Sequence, residues 1–281
     1  MKVGRAPVRA RLVASLLLHL LLVGLAGLMV MPLLWTISTS LKSPGDAYVF
    51  PPEWLPSWPF YWENYLQGFT RLPFGLFYRN TIFLTVVSTL GATLSSALVG
   101  YAFARYRAPG SDAVFTVLLA TMMIPYQVTM IPQFILFKNL GWVNTFLPLI
   151  VPFWLGGGAF YIFLLRQFLR TVPKEFDNAA RIDGANDLQI LTRIVLPLSK
   201  AVIAVIALFY AVGYWNNFFN ALLYLNNSSM WPLSLVVRLR GGESAPVPSA
   251  AVVVAILPIL LVYPFLQRYF TRGVLSGAIK G

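Results

Sequence analysis

Six stretches of the chain run on with almost no charged side chain, and short polar clusters separate them. Roughly 20 apolar residues in an α-helix reach across a bilayer core. The pattern predicts membrane-spanning helices over residues 12–39, 80–104, 113–135, 145–166, 198–225 and 248–270. Only Lys138 carries charge between the third and fourth, and Gly141 with Pro132 and Pro148 around it predicts a tight turn there, not one long helix. The expected fold class is an all-α membrane protein of one domain, residues 1–281, with six transmembrane helices and both termini on one side.

Composition agrees: 58% of residues are hydrophobic and 11% charged, too few charges to coat a soluble globule. The net charge of +12 does not form a basic stripe mixed with aromatics on a soluble face, so nucleic acid is not an expected partner. The six-span pattern puts fifteen of the 21 Lys and Arg on the side of the termini, which predicts that both termini are cytoplasmic. The first stretch has the basic start and Leu-rich run of a secretory signal, but its length and the bulky run Met31-Pro32-Leu33-Leu34-Trp35 predict a retained helix. Cysteine is absent, which excludes disulfides and thiolate chemistry.

Residues 43–77 are rich in Pro, Trp and Tyr and read as an external loop along the membrane interface; the alternative is a docking surface for an external partner. All nine acids fall in loops or at span ends, whereas an ion-coupled carrier commonly keeps an ionisable group in its core. The one histidine, His19, has no acid beside it and is expected to be packed or interfacial. No paired carboxylates, Ser/His pair, metal cluster or phosphate-binding Gly-rich loop can be assembled, so no catalytic, cofactor or metal site is expected in this chain. Gly156-Gly157-Gly158 inside an apolar span is expected to serve close packing.

The charge-rich segment between the fourth and fifth spans is the most informative. Residues 173–192 predict a two-piece helix, started by Pro173 and broken at Gly184, with Pro197 ending it as the next span begins. Phe176, Ala179, Ala180 and Ile182 give its first piece an apolar side, suited to a groove on a soluble partner. The run Asn178-Ala179-Ala180-Arg181-Ile182-Asp183-Gly184-Ala185, followed by Ile194-Val195-Leu196-Pro197, resembles the Glu-Ala-Ala loop of ABC importer permeases. The resemblance implies the type I importer permease fold, with Asp177, Asn178, Ala179, Ala180, Asp183 and Gly184 as the coupling contact to an ATPase. Asn178 stands where that family usually has Glu, and Asp177 offers a neighbouring acid.

The likeness covers nearly the whole chain and is nearest to the second permease subunit of maltose-type carbohydrate importers, the oligosaccharide and uronate-oligosaccharide branch. It is carried also by Met123-Ile124-Pro125, by residues 213–222 and by the ending at residues 273–281, expected as a second ATPase contact. It implies a bacterial or archaeal cytoplasmic membrane, a second permease subunit, two ATPase subunits that bind ATP and Mg, an external solute-binding protein, an oligosaccharide and membrane lipid. From the residues themselves, Tyr214, Trp215, Asn216, Asn217 and Phe218 offer amides and flat rings of the kind sugars use, so they are candidate pathway residues; the alternative is hydrogen bonding between helices. Thr81, Thr85, Ser88, Ala92 and Ser96 form a small polar stripe that serves either a pathway or close helix approach. A peptide or amino-acid permease, an ATP-independent carrier and a membrane scaffold or assembly factor are the rival functions.

Overall fold

A bilayer interior offers the backbone no hydrogen-bond partner, and a helix needs none outside itself. The structure, a computed structural model, describes residues 8–70, 73–240 and 246–278, and beyond residue 264 the backbone alone. Among the described residues it is built of helices, and its contacts group into two compact units.

One unit holds α1 (Val8–Ser40), α2 (Glu63–Thr70) and the start of a helix described below as α14. The apolar side chains of α1, among them Leu16, Leu20 and Met29, are exposed, and His19 faces outward with Nδ1 2.7 Å from the Ser15 carbonyl. The expected external loop is therefore not featureless. Asn64 of α2 donates to the carbonyls of Ser40 and Lys42, and the Lys42 ammonium is buried against the Trp35 ring and the Glu53 carbonyl.

The other unit begins with α3 (Phe74–Arg105), which starts inside the segment expected to be loop. Next come α4 (Ser111–Ala120) and α5 (Tyr126–Asn139), bent by 100° around Ile124-Pro125, where the extended backbone before proline ends a helix. Then α6 (Leu147–Trp154) and α7 (Ala159–Thr171) are separated at the glycine triplet. Gly157 has φ +59 and sits where any Cβ would strike the Ser96 hydroxyl, so the triplet is both a close contact and a break in the helix.

The chain continues with α8 (Glu175–Ile182), α9 (Asp187–Ile190), a π-helical turn Leu191–Val195, α10 (Leu196–Leu198) and α11 (Lys200–Trp215). Last come α12 (Phe219–Tyr224), α13 (Leu233–Arg240) and α14 (Pro246–Ala278). Pro197 does not stop the helix, contrary to the sequence expectation. The widened π turn, with the Leu196 N–H on the Leu191 carbonyl, absorbs the missing proline donor, and the break falls two residues later at Ser199. By length and apolarity α1, α3 and the α6–α7 run each suffice for a crossing, and the bent α4–α5 and α9–α11 runs would each supply another. The last residues of the expected ending, 279–281, lie outside the described residues.

The centre of this unit is α3, packed on α6, α7 and α11. The stripe Thr81, Thr85, Ser88, Ala92 and Ser96 is buried along it. Ser88 donates to the Leu149 carbonyl at 2.9 Å, and the Thr81 hydroxyl accepts the Leu233 N–H at 2.7 Å. Lipid tails are as apolar as leucine, so such helices associate through small side chains and hydrogen bonds of this type. The structure puts this stripe at close helix approaches.

Candidate coupling element and pathway residues

The two-piece helix is closed by local chemistry. At the end of α8, Gly184 adopts φ +84, the Ala185 N–H reaches the Ala180 carbonyl at 2.9 Å and the Gly184 N–H reaches Arg181 at 3.0 Å. This is the Schellman arrangement, which needs a left-handed residue and so favours glycine. Asn186 then starts α9 with a capping box: its side chain accepts the Gln189 N–H, and Gln189 in turn accepts the Asn186 N–H, each at 2.9 Å. The break is a rigid corner.

Its inner side joins the bundle core. Ala180, Ile190, Leu191 and Val195 are buried in the same cluster as Ala97 and Tyr101 of α3 and Leu165 and Leu169 of α7. Arg105, the last residue of α3, places Nε 2.7 Å from the Asp177 carboxylate with both side chains buried, and its Nη1 donates to the carbonyls of Leu169 and Val172 at 3.0 and 3.1 Å. One guanidinium thus holds the ends of α3 and α7 and the first turn of α8. A second tie follows at the next residue, where the Tyr106 hydroxyl donates to Asp187. Burial first, then this hydrogen bond, raises the Tyr106 hydroxyl to about 12. The same bond, with Arg181 at 2.8 Å as a further contributor, holds Asp187 below its ordinary value.

The outer side is different in kind. Asn178, Ala179 and Asp183 are exposed, and around them Phe176 is 50%, Ile182 87% and Leu188 63% exposed. Of the residues expected to form the coupling contact, Asp177 and Ala180 therefore face the bundle, while Asn178, Ala179, Asp183 and Gly184 face out. The Asp177 carboxylate belongs to Arg105 and is not presented at the surface. Arg105 and Tyr106 were missed by sequence reasoning: each looks like an ordinary residue at the end of a span, and only the tertiary pairing separated by more than 70 positions reveals them.

The aromatic-amide run sits at a second corner, where α11 stops at Trp215 and α12 starts at Phe219. Its members do not converge on one point. Tyr214 packs edge-on against Phe153 at 4.8 Å and beside Tyr210, Trp215 donates Nε1 to the Ala255 carbonyl at 3.0 Å, and Phe218 lies under the Arg238 guanidinium. Asn216 is exposed and donates back to Val212 at 2.8 Å; Asn217 accepts the Asn220 N–H through its side chain and Ser234 through its carbonyl. Close by is a cleft of about 620 Å³ walled by Phe137, Trp142, Phe153 and Tyr224, with Gln133, Tyr126 and Asn220 as its polar members. The Tyr126 hydroxyl donates to the Asn220 side chain. Asn220 was quoted in the sequence only as part of a longer run; Gln133 and Tyr126 gave no signal there, since they lie on a different span.

Long apolar helices that carry a short helical corner, pinned inward by polar bonds and apolar outward, define a multi-pass membrane permease built to be moved by something else. The chain belongs to the family described as binding-protein-dependent transport system inner membrane component, which matches residues 74–276. Membership implies a second permease, an ATPase and a solute-binding protein as partners. The protein LplC of Bacillus subtilis is 33% identical over 93% of both chains. The polygalacturonan/rhamnogalacturonan transport system permease protein YtcP of Bacillus subtilis is 37% identical over 72% of this chain and 75% of its own. A chain of a bacterial ABC transporter involved in the import of the acidic polysaccharide alginate superposes with a TM-score of 0.85 at 26% identity, covering 95% of this chain and all of that one. By their names, YtcP and the alginate chain belong to transport systems.

Proposed function

We propose that this chain is the membrane-spanning subunit through which an ATP-driven importer passes an oligosaccharide handed over by an external binding protein. The observation that carries the reading is the outward apolar face of α8 and α9, braced from behind by Arg105 and Tyr106. Two ATPase subunits, which would hold the ATP and Mg, close beneath the two permeases; one pushes on Phe176, Ala179, Ile182 and Leu188, with Asn178, Asp183 and Gly184 at the same contact. Because Arg105 joins α8 to the ends of α3 and α7, displacement of the corner carries those spans with it. In this reading the chain crosses six times, with α8, α9 and both termini on the cytoplasmic side, as the excess of Lys and Arg on that side supports. The corner at Tyr214 to Phe218 and the aromatic cleft with Gln133 and Asn220 flank the passage, where amides match sugar hydroxyls and rings cover sugar faces. The names of YtcP and of the alginate transporter favour a uronate oligosaccharide over a peptide or amino acid. The test is ATP hydrolysis by the assembled transporter in membranes: a binding protein loaded with an oligouronate should stimulate it severalfold. Failure of every oligosaccharide, neutral or acidic, to do so would overturn the reading.

A further inference from the structure

A second cavity, of about 580 Å³, opens between the turn joining α3 to α4 and the end of α7. Its lining carries Arg105, Arg107, Arg166, Arg170 and Lys174 against the single acid Asp112. Arg105 is paired with Asp177 and donates Nη1 to two carbonyls, while its buried Nη2 has no hydrogen-bond partner among the described residues. Arg166 is buried, lies 3.9 Å from the Phe115 ring centre, donates to the Phe103 carbonyl at 3.3 Å and reaches Asp112 at 3.4 Å. The Asp112 side chain is 94% exposed, so water screens much of its compensation. Arg107, Arg170 and Lys174 have no acidic partner within 4.0 Å among the described residues. A concavity that gathers this many positive charges around one screened acid is complementary to an anion. Guanidinium forks match the oxygens of a phosphate, in pairs and in plane.

Where the cavity lies decides which phosphate. α3 ends at Arg105 and the α6–α7 run at Thr171, each apolar and long enough to cross a membrane, so the cations gather where these two runs end. From the same point α4 runs on with Val114 and Val117 exposed, an apolar track leading away from the charged end. We infer that this cavity is a phosphate site filled by the headgroup of an anionic phospholipid, with its acyl chains along α4. The inference rests on the proposed topology only for assigning the cytoplasmic leaflet.

The test uses the assembled transporter in mixed micelles, read by native mass spectrometry with phosphatidylglycerol, with phosphatidylcholine, and with phosphatidylglycerol plus inorganic phosphate. Retained phosphatidylglycerol should exceed phosphatidylcholine. The double variant Arg107→Gln, Arg170→Gln, at two exposed positions, should lower that retention roughly tenfold or more. Arg170→Lys in place of Arg170→Gln should restore part of it, and Lys200→Gln, outside the cavity, should leave it intact. Equal retention by wild type and the double variant overturns the site. Displacement of the lipid by inorganic phosphate at comparable concentration overturns the lipid assignment and gives the same cations to free phosphate. Binding-protein-stimulated ATP hydrolysis on the same preparations reads the proposed function separately: lipid retention without stimulation removes the transport reading and leaves this site standing.

Discussion

The chain turns two helical corners, at Gly184 to Asn186 and at Asn216 to Phe218, and they are finished in opposite ways. The first is closed along its backbone by a Schellman end and a capping box, and a buried ion pair and a tyrosine-carboxylate bond tie it inward, although Arg105 Nη2 and Asp177 Oδ1 keep no hydrogen-bond partner among the described residues. The second is closed in part, with Asn216 exposed and the five aromatic and amide residues pointing to different neighbours. Under the proposed coupling role, a corner held to the bundle by its own backbone bonds and by Arg105 is suited to transmit displacement. Under the proposed pathway role, the second corner would offer a passing solute the hydrogen-bonding capacity that its exposed Asn216 retains.

The sharpest way to break this contrast is at the Arg105–Asp177 pair. Asp177→Ala leaves a buried guanidinium unpaired, a loss on the order of 3–5 kcal/mol. Thermal unfolding of the assembled transporter should fall accordingly, and ATP-driven uptake should be lost. The exchange Arg105→Asp with Asp177→Arg should recover part of the stability if the pair itself is what matters. Next in size is Ile182→Asp, on the exposed face. Folding should be unaffected, while co-purification of the ATPase and uptake should each drop roughly tenfold, equivalent to about 1.4 kcal/mol of contact.

At the second corner, Asn216→Leu should lower uptake by roughly threefold to tenfold, well under 2 kcal/mol, and leave binding-protein-independent ATP hydrolysis unchanged; an equal loss of both would show that Asn216 is structural. The smallest effect is expected from Tyr106→Phe. Asp187 is held below its ordinary value of 3.8, so its contribution is present above that pH and lost as pH falls through the depressed value. The Tyr106 contribution is complete below 10.0 and lost as pH rises through about 12. Removing the hydroxyl should therefore lower the unfolding temperature by a small, constant amount across neutral pH, and the gap from wild type should close as pH falls through the depressed Asp187 value or rises through about 12.

Much of this organisation is legible in the order of residues. Charge-free runs announce the long helices, and Gly184 between two polar caps announces the first corner, because those signals are local. Periodicity missed the interruptions of the third and fourth spans, since Pro125 and Gly157 act through backbone geometry and leave the hydrophobic run intact. It placed the stop at Pro197, because a π turn that tolerates a proline has no compositional mark. The inward tie of Asp177 to Arg105 was beyond sequence reading, as its partners are far apart and both are residues common at membrane surfaces. The same distance hides Tyr126 and Gln133 from Asn220.

The central claim is that the outer face of α8 meets an ATPase inside the cell, and the absence of native cysteine makes one measurement clean. A single Ile182→Cys thiol, probed with a membrane-impermeant maleimide, should react only in inverted vesicles and should become protected when the ATPase is present. Reaction in right-side-out vesicles, or reactivity indifferent to the ATPase, would contradict the account.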